Sequence, residues 1–189
     1  MLSNKSKFLM LFSLPLVLIF CFLVVILSRR VAAEGAFLQQ GLYRLHLGLI
    51  LSGIMALIVS VSCAVMYLLQ SNQLKSKHLR KSLLALPSLE QLDALHFRSL
   101  SVGIILFSLG ILSGCFWAKN LKEFPGILKD PKVILSFLTG FMYWLVLGFR
   151  MSSLRRGQKI ALGTILIFVL LCVTFMSAHY APSLAIRNT

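Results

Sequence analysis

The chain has 189 residues, 58% of them hydrophobic, and only five acidic side chains, which leaves too little polar cover for a soluble domain of this size. The net charge of +14 comes from 19 lysines and arginines spread over short connections, with no long basic tail. That distribution fits residues that orient helices and touch lipid headgroups, and it argues against nucleic acid as a partner.

Five stretches are long and apolar enough to cross a hydrocarbon core of about 30 Å: Phe8–Leu27, His46–Leu69, Ser99–Ala118, Val133–Phe149 and Ile160–Ala178. In lipid the backbone must satisfy its own hydrogen bonds, so runs of this length predict an all-α, polytopic transmembrane helix bundle. The first stretch follows Lys5 and Lys7 and is expected to kink at Pro15. It is longer than the apolar core of a signal peptide and runs directly into Arg29–Arg30, so it reads as a retained span. The second carries a small residue at every fourth position (Gly48, Ser52, Ala56, Ser60, Ala64), a stripe expected to let another helix approach closely. Pro87 breaks the long 70–98 connection, and Ser88 is expected to cap a short helix lying on the membrane surface or under the bundle. Ser99, Gly103, Gly110 and Gly114 give the third span its own close-packing face. Pro125–Gly126 punctuates the next connection, and a basic turn, RMSSLRRGQK, precedes the fifth span.

Taking compartments alternately, one side receives eleven of the 19 basic residues, including the KSKHLRK and RMSSLRRGQK clusters, and the other receives eight. The positive-inside rule then puts the N-terminus in the cytoplasm and the C-terminus outside. His46 begins the second span and His179 ends the fifth on the same, outer, side, whereas His78 and His96 belong to the inner side. Cys21, Cys63, Cys115 and Cys172 fall within spans without a CxxC or CxxCH pattern, so they are expected to pack the core.

Catalytic constellations are absent. The carboxylates Glu34, Glu90, Asp93, Glu123 and Asp130 are all expected in loops, and no span has a charge at its centre, which disfavours an ion-coupled transporter. Neither a glycine-rich phosphate loop nor HExxH occurs. The outer histidine pair is the remaining chemistry. Two neutral imidazoles on one face can supply both axial ligands of a haem iron, with Phe116, Trp117, Phe124 and Tyr180 nearby as apolar wall. From spacing alone the pair reads first as interfacial histidines bonded to headgroups or loop carbonyls, and only second as a haem site.

Three segments together, HLGLILSGIMALIVSVSCAVMYLLQSNQLKSK, LPSLEQLDALHFRSLSVGIILFSLGILSGCFWA and DPKVILSFLTGFMYWLVLGFRMSSLRRG, resemble the cytochrome c assembly family of haem-handling membrane proteins, in particular its HemX-like and CcsA-like branches. The resemblance covers roughly residues 43–182 as a membrane domain, between an N-terminal span and loop at 1–42 and a short outer tail at 183–189. It implies a non-enzymatic protein of cytochrome c biogenesis in a bacterial-type cytoplasmic membrane, holding haem b non-covalently. His46 and His179 would be the axial ligands; Trp117 and the Asp130–Lys132 loop would border the porphyrin, with Lys132 or Lys129 pairing a propionate. Other assembly subunits or a second copy are the implied partners besides lipid and haem. Two features depart from the family pattern: the loop KNLKEFPGILK has no tryptophan, and Gly148 stands where the family has a membrane histidine. Both are HemX-like and weigh against delivery of haem to apocytochrome; a non-catalytic scaffold or regulator of haem synthesis is the alternative. Relatives commonly have further N-terminal spans.

Overall fold

The computed structural model describes residues 14, 17, 41–75, 88–119, 131–152 and 157–180, the side chains of 75, 119, 132 and 175–180 excepted. Four long helices make up this part: α1 (Gly41–Lys75), α2 (Leu89–Lys119), α3 (Pro131–Met151) and α4 (Gln158–Tyr180). Gly41–Leu74, Leu89–Ala118 and Val133–Met151 are each long and apolar enough to span a membrane, and Gln158–Thr174 of α4 is a shorter apolar stretch. Of the expected first span, Phe8–Leu27, only Leu14 and Val17 fall among the described residues; both are helical, and Val17 packs against the core.

α1 is the central helix, with 56% of its apolar stretch buried against 28% for α2 and α3. It runs antiparallel to α2 along a seam whose residues step by three and four. Tyr43 meets Trp117 with ring centroids 5.1 Å apart. One turn further, His46 lies over Gly114 and Ile50 over Gly110; then Phe107 of α2 lies over Gly53, and Leu57 over Gly103. Positions 43, 46, 50, 53 and 57 repeat like the seam of a left-handed coiled coil, in which a period of 3.5 keeps one face toward the partner.

This register corrects the expected stripe of small residues. A strict four-residue period advances by more than one helical turn, so it drifts around a helix of 3.6 residues per turn. The drift is visible in burial: Gly48 and Ser52 are exposed, Ala56 is half-buried, and Ser60 and Ala64 are fully buried. The close approach in α1 is made at Gly53, where a Cβ would stand 2.7 Å from the Phe107 backbone nitrogen, whereas a Cβ at Gly48 meets nothing within 4 Å. Packing contact is what holds helices together in lipid. Gly53→Ala therefore loses about 1–3 kcal/mol through overpacking against backbone that cannot give way, while Gly48→Ala is neutral or slightly stabilising. Unfolding of both variants in mild detergent measures the difference.

The second connection also differs from expectation. Ser88 does cap a helix: its Oγ accepts from Gln91 N–H at 3.4 Å while Gln91 Oε1 accepts from Ser88 N–H at 3.3 Å, a reciprocal capping box. The helix it caps is not a separate short one but the start of α2, continuous to Lys119. Glu90 and Asp93 thus lie in a helix and not in a loop. α1 likewise extends to Lys75, and residues 76–87 lie outside the described part.

α3 begins on Pro131, whose missing N–H costs nothing in the first turn. Gly157, at φ 107°, opens α4 in a backbone conformation that glycine adopts freely, with the Tyr67 hydroxyl 3.0 Å from where a Cβ would be. Gln158 Nε2 then donates to Ser71 Oγ and Asn72 Oδ1, both at 3.0 Å, which places the start of α4 beside the end of α1. The surface left outside is apolar: Val102, Ile105, Leu109, Leu112 and Phe116 form an exposed row on α2, and Leu162, Leu166, Val169 and Val173 another on α4. Rows this long and uninterrupted belong in lipid or against another apolar partner.

Candidate functional site

Of the residues the sequence nominates, His46 and Trp117 stand at one end of the α1–α2 seam. The position of His46 on the seam, one turn beyond Tyr43, turns its ring into α2 rather than toward lipid. Its Nδ1 lies 2.7 Å from the carbonyl oxygen of Gly110, and Gly114 leaves the space that the ring fills. Among the described residues Nε2 has no hydrogen-bond partner. The tilted Tyr43–Trp117 pair closes the seam on the next turn out. Phe116, 66% exposed, is on the outward row of α2 and takes no part.

His179 lies in the last turn of α4, and its side chain is outside the described residues. Helix direction still locates that turn. From the Gln158–Ser71 contact, α4 runs back along α1 for about 32 Å to residue 179, and α1 covers about 38 Å from residue 71 back to 46. The two histidines thus belong to the same end of the bundle at heights about one helical turn apart. Asp130, Lys129 and Phe124, and the side chains of Lys132 and Tyr180, are outside the described residues. No three His, Cys, Asp or Glu side chains converge on a metal position among the described residues. Gly148 is exposed on α3, and a Cβ there would meet nothing within 4 Å.

The opposite end holds a cluster that sequence reasoning missed. Arg150, 8% exposed, makes a two-pronged ion pair with Asp93, with Nη2 2.8 Å from Oδ2 and Nη1 3.0 Å from Oδ1. Nη2 also donates to the Asp93 carbonyl at 2.8 Å. Nη1 reaches His96 Nδ1 at 3.3 Å. A guanidinium can only donate, so Nδ1 of His96 is the acceptor and the ring proton sits on Nε2. From there it is given to Thr164 Oγ1 at 3.1 Å, whose own hydroxyl donates to the Ile160 carbonyl at 3.0 Å. The Arg150 guanidinium also lies 5.1 Å from the centre of the Phe97 ring. This network closes on itself and ties α2, α3 and α4 together. Its chemistry is that of a lock. Asp93 and His96, three residues apart on one helical face, and Arg150 at the end of an apolar run, were the available signal.

Of the cysteines, Cys63 is buried as expected for a packing residue, Cys115 is half-buried, and Cys172 is exposed on α4, contrary to the expectation that all pack the core; Cys21 is outside the described residues.

Residues 2–184 match the family model described as Cytochrome C assembly protein. The chain is 31% identical over 146 residues to Protein HemX of Brevibacillus brevis, an alignment covering 77% of this chain and 53% of that protein. It is 33% identical over 91 residues to the cytochrome c biogenesis protein CcsA of Prochlorococcus marinus strain AS9601, covering 48% of this chain and 29% of that one. Against the strain MIT 9313 protein of the same name it is 31% identical over 105 residues, or 56% and 33% of the two chains. The chain thus spans about half the length of the HemX relative and about a third or less of the CcsA relatives. No solved structure matches it. The apolar helices, the family model and the two groups of relatives converge: this chain is a membrane protein of the cytochrome c assembly family.

Proposed function

We propose that this chain holds haem non-covalently during cytochrome c biogenesis, in a bacterial-type cytoplasmic membrane, with His46 and His179 as axial ligands. The observation that carries the proposal is the state of His46: an imidazole anchored through Nδ1, with Nε2 unpartnered among the described residues, at the end of the bundle to which α4 returns. A ligating histidine characteristically spends its second nitrogen on a carbonyl or carboxylate, which orients the ring and raises its basicity. His46 and His179 would hold the iron of a bound haem, which would supply its redox couple. The chain's own residues bind and orient. Trp117, beside Tyr43, and the Asp130–Lys132 loop would border the macrocycle, with Lys132 or Lys129 pairing a propionate. The chain is proposed to hold or pass haem, with no bond-making step of its own.

Titration of the purified protein with haemin tests this. Wild type is expected to show a saturable Soret shift at about one haem per chain, which His46→Ala and His179→Ala weaken by more than the roughly 10–100-fold typical of losing only the group behind a ligand. Identical titrations for all three proteins would contradict it.

A further inference from the structure

We propose that the Gly110–Gly114 turn of α2 is a positioning cradle that holds the His46 imidazole as its Nδ1–H tautomer and leaves the electron pair on Nε2. The tautomer follows from the partner. The atom 2.7 Å from Nδ1 is a backbone carbonyl oxygen, which can only accept, so the proton must be on Nδ1. In the neutral ring Nε2 then carries the lone pair. This is the opposite of the tautomer that free imidazole side chains favour in water, so the protein has to impose it. The same carbonyl also accepts from Ser113 Oγ at 2.8 Å, which pins the oxygen within its turn.

Gly114 makes the geometry possible. A Cβ there would stand 2.7 Å from both Cε1 and Nδ1 of the ring and 3.4 Å from Nε2. Neither ring atom is the loose end of a flexible chain, because the ring is held at Gly110 on one side and by α1 on the other. The ring would have to swing out and give up its bond to Gly110. Gly114 touches no ligand itself; it acts through His46, as a positioning residue. For haem the inference rests on the ligand role proposed above, but the tautomer is a property of the protein without haem.

The test is nitrogen-15 NMR of the full chain, histidine-labelled and haem-free in nanodiscs, with the His46 signals assigned by their loss in His46→Ala. The expected spectrum has a protonated Nδ1 and a bare Nε2. A protonated Nε2, or a rapidly averaged pair, would overturn the cradle even if haemin binds. Gly114→Ala is expected to lose the single tautomer and bind haemin about tenfold or more weakly. Gly48→Ala, two residues from His46 with open space around its Cβ, should change neither. A Gly114→Ala protein that keeps the Nδ1–H tautomer and wild-type haemin affinity would overturn the cradle. Where that variant fails to fold, the wild-type spectrum decides alone. An Nδ1–H ring in a protein that takes up no haemin supports the cradle and removes the haem role.

Discussion

Arg150→Ala is expected to destabilise the bundle by about 3 kcal/mol, within the roughly 3–5 kcal/mol typical of breaking one side of a buried ion pair. The lower figure reflects Asp93, whose side chain is still 28% exposed and so keeps part of its hydration. Three things fail together in this variant. The Asp93 carboxylate loses both prongs of its partner, His96 Nδ1 loses its donor, and α3 loses its strongest polar tie to α2. Two neutral polar contacts also join α3 to its neighbours. Trp144 Nε1–H donates to Ser108 Oγ at 2.9 Å, and the Thr139 and Thr174 hydroxyls approach to 3.4 Å. Interhelical hydrogen bonds of this kind average about 0.6 kcal/mol in membranes, too little to replace the lost network.

The pattern across variants distinguishes a charge effect from a packing effect. Arg150→Lys keeps the charge but has no planar fork, so it should recover only part of the loss. Arg150→Met combined with Asp93→Asn removes both charges together and should be more stable than Arg150→Ala, since no uncompensated carboxylate is left. Unfolding in detergent with increasing denaturant measures all of these. An Arg150→Ala protein as stable as wild type would show that the network is not a structural lock.

Much of the helical architecture was legible in the sequence because apolar length is a strong signal. Val133–Phe149 corresponds to α3 within two residues at each end, and Ile160–Ala178 to α4 likewise. Helix ends set by side chains were also readable, as the Ser88–Gln91 capping box shows. The seam was harder. Five small residues at a spacing of four looked like a packing face, but only a 3–4 alternation stays on one side of a helix, and the sequence holds both patterns in overlap. A partner helix had to be placed before Tyr43, His46, Ile50, Gly53 and Leu57 could be separated from Gly48 and Ser52.

The Arg150 cluster was obscured for a different reason. Asp93 and His96 sit within three residues of each other in a segment polar enough to resemble a connection, and their partners lie 54 to 57 residues away on α3 and 68 away on α4. Nothing local announces contacts at that separation. For the candidate site, the sequence nominated His46 and paired it with His179 at one end of the bundle. It carried no sign that the ring is anchored on a helix carbonyl, because backbone acceptors leave no mark in composition.

The proposed site is a haem held between His46 and His179. It is tested most directly by purifying the full chain from haem-replete membranes in mild detergent and recording its visible spectrum, beside His46→Ala and His179→Ala. Wild type is expected to carry a Soret band with the sharp reduced α and β bands of a six-coordinate, bis-histidine iron. Each alanine variant is expected to lose most of its haem, because in the proposed site either histidine alone would hold the iron from one side only. A wild-type protein with no Soret band even after addition of haemin, or alanine variants with wild-type haem content and band shape, would contradict the account.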